Sequence, residues 1–133
     1  MRFRSRLQAA LLQRQRINPA YTLRSFARAL KADHSTLSRT LRERRRITAR
    51  TIRRWGPRLG LNPRELDELC YLEHEASILA AIERTCFRPD SRWLAMTLNI
   101  PLDEVNIALQ RLLHKRLLRM RSHNNWQREE SHG

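Results

Sequence analysis

The chain has 133 residues, of which 41% are hydrophobic, and a formal net charge of +14. This length allows one domain or two very small ones, and the apolar content argues against a chain that is disordered throughout. No apolar run approaches the roughly 20 residues that a bilayer-spanning helix requires, so the sequence predicts no membrane span.

The positive charge is concentrated in the first part of the chain. Residues 1–61 hold 17 Lys and Arg against 2 Asp and Glu, whereas residues 62–133 hold 10 basic and 11 acidic residues. Nearly all the basic residues are Arg, whose guanidinium suits bidentate contacts with phosphates and guanine edges. The N-terminal part is therefore expected to meet a polyanion.

The first segment, Met1 to Arg16, is basic and amphipathic. Transit peptides and membrane-surface helices share this composition. The apolar stripe is narrow, however, which favours packing on neighbouring helices, and we interpret the segment as the first helix of a domain. The stripe consists of Phe3, Leu7, Ala10 and Leu11.

The segment from Thr22 to Leu41 predicts two short helices around a tight turn. Thr22 is placed to cap the first helix and Asp33 to cap the second. The inward positions are Leu23, Phe26, Ala27 and Leu30, followed by Leu37 and Leu41. This is the pattern of a helix-turn-helix.

The rest of the chain predicts further helices and one hairpin. Ile47 and Thr48 open a fourth helix, with a kink or early stop at Gly56 and Pro57. A fifth helix starts at a cap, a proline and a capping-box acid, namely Asn62, Pro63 and Glu65. The later elements are a new helix from Glu75, a short helix capped by Asp90, a helix from Leu102 to His114, and a strand from Leu117 to Arg121 followed by turn residues 122–125.

The predicted fold is all-α, with an N-terminal helix-turn-helix bundle of about five helices and a small winged-helix unit that ends in a β-hairpin. We expect a DNA-binding domain over residues 1–72. Residues 73–133 are expected to form a winged-helix-like domain for dimerisation or interaction.

The second helix of the motif carries the predicted DNA-reading residues. In a helix-turn-helix this helix lays its N-terminal side chains against base edges in the major groove. Its exposed positions are His34, Ser35, Ser38, Arg39 and Arg42, with Arg39 the best candidate for a bidentate contact to guanine. Phosphate contacts that set the register are expected from Thr22, Arg24, Thr36, Arg44, Arg45, Arg46 and Arg50.

The stretch from Thr22 to Leu41 resembles the helix-turn-helix of lambda repressor and Cro-type (Xre-like) regulators. The later stretch from Phe87 to Leu118 is similar to a winged-helix region that follows such a motif in a poorly characterised family of bacterial regulators. The resemblance implies a bacterial DNA-binding protein. The family has Gly where this chain has Lys31 and Arg116, which implies a left-handed residue or a shifted turn at each place. Members have more chain between and beyond these parts, so this chain is expected to be a compact form or a fragment.

The winged part is less suited to reading DNA. Its longer helix opens with Asp103 and Glu104, and carboxylates at that place would face phosphates. Basic residues on the hairpin, Arg119, Arg121 and Arg128, remain candidates for backbone contacts.

No catalytic, cofactor or metal motif is predicted. Cys70 and His74 have metal-ligand spacing on one helix but lack further partners, and Cys70 and Cys86 are expected to be reduced thiols in the cytosol. The chain has no Gly-rich phosphate loop and no recognisable nucleophile elbow, so we expect neither an enzyme nor a small-molecule substrate.

Three classes of function remain open at this point. The leading hypothesis is a cytoplasmic, homodimeric transcriptional regulator that binds duplex DNA sequence-specifically through residues 22–46. A second is a nucleoid or RNA-binding protein that uses its Arg excess without sequence choice. A third is an adaptor whose basic face docks an acidic protein partner.

Overall fold

The computed structural model describes residues 2–42 and 46–129. Within these ranges it contains seven α-helices, one 3-10 helix and a two-stranded antiparallel hairpin. The predicted mostly helical fold with a C-terminal hairpin is confirmed. The chain divides into two compact units, residues 1–73 and residues 74–133.

Unit 1 contains four α-helices, the 3-10 helix and the start of a fifth α-helix. Their bounds are α1, Phe3–Ile17; α2, Leu23–Leu30; α3, His34–Arg42; α4, Ala49–Trp55; the 3-10 helix, Gly56–Leu59; and α5, which begins at Pro63. Thr22 and Thr48 cap α2 and α4 by accepting the backbone N–H of Ser25 and Thr51. Asn62 and Glu65 form the reciprocal capping box before α5. Helix starts therefore fall where the sequence placed them.

The core of unit 1 draws on every one of its helices. Phe3 and Leu7 are fully buried, so α1 packs as part of this domain. Gly56 ends the α4 segment against α5, where an added Cβ would overlap the side chain of Leu66. The other buried members are Phe26, Ala27, Leu30, Leu37, Ile47, Ile52, Trp55, Leu61, Leu66, Leu69 and Cys70.

Helix α5 is one continuous helix from Pro63 to Ile82, and the predicted new helix from Glu75 is wrong. The apolar pattern pauses there because polar residues take buried positions. Glu73 accepts two hydrogen bonds from Arg2, and Glu75 forms ion pairs with Arg111 and Lys115. Burial of a carboxylate is tolerated when such partners are present, and the segment lacks Gly or Pro to break the helix.

Unit 2 contains the end of α5, two further helices and the hairpin. The bounds are α6, Ser91–Leu98; α7, Leu102–His114; β1, Leu118–Ser122; and β2, Asn125–Arg128. Asp90 caps α6 by accepting the N–H of Arg92, as predicted. Its separate core consists of Ile78, Leu79, Ala81, Ile82, Leu94, Leu98, Ile100, Val105, Ala108, Leu109, Leu112 and Leu118. The order helix, helix, helix, hairpin matches the predicted one.

Candidate nucleic-acid interface

Helices α2 and α3 are joined by a turn of three residues, Lys31 to Asp33. Lys31 has φ 52° and ψ 41°, the left-handed conformation that is one of the two outcomes expected for a residue standing where the turns this segment resembles have Gly. The turn has therefore not shifted. The backbone N–H groups of Lys31 and Ala32 donate to carbonyls of α2, which closes the C-terminus of that helix.

The start of α3 is fixed by Asp33. Its carboxylate accepts hydrogen bonds from the backbone N–H and the hydroxyl of Thr36, at 3.0 and 3.2 Å. These bonds, led by the one from the backbone N–H, hold the pKa of Asp33 below its ordinary value. Leu37, one turn into the helix, is fully buried in the core that α2 supplies. Helix α3 is therefore capped at one end and anchored on one side.

The predicted base-reading residues occupy the other sides of α3. His34, Ser35, Arg39 and Arg42 are exposed, and Ser38 is half-buried. The first turn of α3 contains no acidic residue. The Nε of Arg42 lies 3.4 Å from the carbonyl of Ser38, one turn back along the helix.

The predicted phosphate contacts divide into three groups. Thr22 and Thr36 are exposed but already serve the helix caps, Thr22 through its bond from Ser25. Arg24, Arg46 and Arg50 are exposed. Arg44 and Arg45 lie outside the described residues.

The carboxylates of α5 neutralise cations away from the motif. Glu73 pairs with Arg2, Glu65 with Arg6 and Asp67 with Arg53. In the part of unit 1 that the structure describes, Arg24, Arg42 and Arg50 form no ion pair, so their charge is directed to solvent.

One cation near the motif was missed by sequence reasoning. Arg4 on α1 donates its Nε to the backbone carbonyl of Thr40 on α3, at 3.0 Å, and is half-buried. The two residues are 36 positions apart, so no local signal connects them. The contact brings a third segment of chain to the flank of α3.

The acids at the start of α7 have different surroundings. Asp103 is exposed, whereas Glu104 is half-buried with its Oε2 3.8 Å from His74 Nε2. On the hairpin, Arg119 and Arg128 pair with Glu129 and Glu83, each at 3.4 Å.

Across residues 2–42 and 46–129, no group of three or more His, Cys, Asp or Glu side chains is arranged to hold a metal ion. No helix in the same ranges combines the length and hydropathy of a membrane span.

Comparisons with protein-family models, with curated proteins and with solved structures found no match.

Proposed function

We propose that this protein is a bacterial transcriptional regulator that binds duplex DNA sequence-specifically through α2 and α3. The observation that carries the proposal is the presentation of α3. Its cap at Asp33 and its anchor at Leu37 hold one face inward, so polar and cationic side chains face outward. A helix held in this way fits the major groove.

The outward face offers hydrogen-bonding groups of both kinds. Arg42 is a cation suited to the two acceptors of guanine, and the hydroxyls of Ser35 and Ser38 both donate and accept. His34 stands at the N-terminal end of the helix, where side chains of a recognition helix approach base edges. These groups supply direct readout, while Arg24, Arg46 and Arg50 supply sequence-independent attraction to phosphates.

Charge supports the same assignment. Unit 1 contains 18 Lys and Arg against 6 Asp and Glu, whereas unit 2 contains 9 against 7. Three of the acids in unit 1 pair with Arg2, Arg6 and Arg53, which lie outside α2 and α3, so they do not offset the cations of the motif. Such an excess releases counterions from DNA and makes the affinity depend on salt.

A homodimer follows from the size of the reading element. The nine residues of α3 extend about 13 Å, which covers only a few base pairs. Regulators of this kind pair across a two-fold site to read enough sequence. Unit 2 supplies candidate surface for pairing, since Met96, Leu102 and Ile107 are large apolar residues exposed on α6 and α7.

The test is selection of bound fragments from a pool of random duplexes by the full chain. The proposal predicts enrichment of a two-fold symmetric sequence whose half-sites are about 34–36 Å apart, or a multiple of that spacing. Retention of duplexes without enrichment would instead support a non-specific nucleoid protein, and preferential retention of RNA an RNA-binding protein. Failure to retain any duplex at moderate salt would support an adaptor for an acidic protein.

A further inference from the structure

A polar pocket lies on the flank of α3 in unit 1. Its volume is about 160 Å³. One water-sized group needs about 10–15 Å³ of such space, so the pocket has room for a group of several atoms such as a phosphate. The lining residues are Arg4, Thr36, Arg39, Thr40, Arg46, Ile47, Thr48 and Thr51.

The chemistry of the lining suits an anion. Three arginines reach the pocket from three segments: Arg4 from α1, Arg39 from α3 and Arg46 from the residues before α4. The remaining polar groups are hydroxyls, and no carboxylate is found among the described residues that line it. Guanidinium groups bind phosphate oxygens through charge-assisted hydrogen bonds, often two at a time.

The pocket is held by contacts that do not depend on a ligand. Arg4 is fixed by its bond to the carbonyl of Thr40, and the hydroxyl of Thr40 donates to the carbonyl of Thr36 at 2.8 Å. On the opposite side, the hydroxyls of Thr48 and Thr51 lie 3.1 Å apart in the cap of α4. A site whose walls are fixed in advance loses less entropy when it binds.

The position of Arg39 on α3 differs from that of Arg42. Arg39 shares the pocket with Thr36 and Thr40, three positions before and one position after it, so it lies on the flank of the helix. Arg42 does not line the pocket. Arg39 and Arg42 are three residues apart on one side of α3, but only Arg39 reaches the pocket.

We propose that Arg4, Arg39 and Arg46 together bind a single phosphate of the DNA backbone. The proposal rests on the proposed function, and it assigns Arg39 to backbone positioning rather than to guanine. Arg4 becomes a DNA-contacting residue on α1. This arginine clamp, formed by Arg4, Arg39 and Arg46, fixes the register of α3 in the groove. Base reading is left to Arg42, Ser35 and Ser38.

The test uses the full chain with the selected duplex and a scrambled duplex of the same composition. Arg4→Ala, Arg39→Ala and Arg46→Ala should each weaken binding to both duplexes by the same factor, on the order of tenfold. Each should also lower the slope of log affinity against log salt by about one per protomer, which is about two for the dimer. Arg16→Ala is the matched control, because Arg16 is exposed on α1 about 18 Å along the helix from Arg4, and it should change neither value.

Neutral methylphosphonate linkages, placed one at a time along the selected duplex, test whether the three arginines share one phosphate. One position in each half-site, the two related by the two-fold symmetry, should weaken binding of the unaltered protein and cause no further loss in any of the three variants. Thermal melting of each variant, together with Arg4→Lys, Arg39→Lys and Arg46→Lys, separates binding from folding. Lys variants that keep the salt slope while the Ala variants lose it support the clamp.

Two results overturn the clamp while the proposed function stands. One is an Arg39→Ala variant that loses sequence preference but keeps its salt slope, since Arg39 would then read a base. The other is a loss in Arg16→Ala equal to that of the pocket variants, since charge alone would then explain binding. Failure of the unaltered protein to bind any duplex overturns the clamp and the proposed function together.

Discussion

Asp33 accepts both the backbone N–H and the hydroxyl of Thr36, and this pair of bonds sets the first residue of α3. The capping carboxylate is fully exposed and stands at the end of the helix that is proposed to enter the groove. It therefore has two opposite effects. It stabilises the helix N-terminus, and its negative charge repels DNA phosphates.

Replacement of Asp33 separates these effects. Asp33→Asn keeps a capping side chain and removes the charge, so it should bind duplex DNA more tightly with little change in melting temperature. Asp33→Ala removes the capping side chain as well as the charge, so the melting temperature of this variant should fall because the cap is lost. Melting curves and duplex titrations on the same samples give both quantities. A tighter complex with Ala but not with Asn would contradict the explanation by charge.

The Asp33 cap also makes a prediction about pH. Because folding lowers the pKa of Asp33, its contribution to stability is present above the ordinary value of 3.8 and is lost as pH falls through the lowered value. The difference in melting temperature between the unaltered protein and Asp33→Asn should therefore change only in acid. A difference that changes with pH near neutrality would rule out this carboxylate as the cause.

Lys31 is predicted to be strained. A side chain in the left-handed conformation costs about 1 kcal/mol relative to Gly, so Lys31→Gly should raise the free energy of unfolding by up to about that amount. Lys31→Ala is the control, because it removes the charge and keeps the Cβ. Urea unfolding of both variants measures the difference, and equal stabilisation by Ala and Gly would point to relief of charge repulsion instead.

Glu75 is expected to be a stabilising centre of unit 2. Its buried carboxylate lies 2.7 Å from Arg111 Nε and 2.9 Å from Lys115 Nζ. Glu75→Gln should lower the free energy of unfolding by about 1–3 kcal/mol, because charged hydrogen bonds are lost in a buried place. A double-mutant cycle with Arg111→Ala should show coupling between the two residues. Additive losses would show that the ion pair contributes nothing of its own.

The sequence contains enough information for the helix starts but not for the long-range pairs. Caps such as Thr22 and Asp33 are local, since their partners lie three residues away, and both were predicted correctly. The continuity of α5 was not predicted, because the partners that allow Glu73 and Glu75 to be buried are Arg2 and Arg111, far along the chain.

The candidate site shows the same division. Periodicity places Leu37 inward, and it predicted exposure for the polar positions of α3, of which Ser38 is half-buried. Periodicity carries no information about the contact between Arg4 and Thr40. It therefore gave Arg39 and Arg42 the same predicted role, which was base reading. Two residues that are both exposed on a short helix are told apart by what packs beside them.

The most direct test of base reading by α3 is the ratio of affinities for the selected and scrambled duplexes at one salt concentration, measured for the unaltered protein and for Arg42→Ala. Base reading predicts a ratio on the order of 10³ or more for the unaltered protein. Arg42→Ala should lower that ratio by about tenfold or more, because a bidentate contact to guanine is lost, and should leave binding to the scrambled duplex nearly unchanged. A ratio near one for the unaltered protein, or an equal loss on both duplexes in the variant, would contradict base reading by α3.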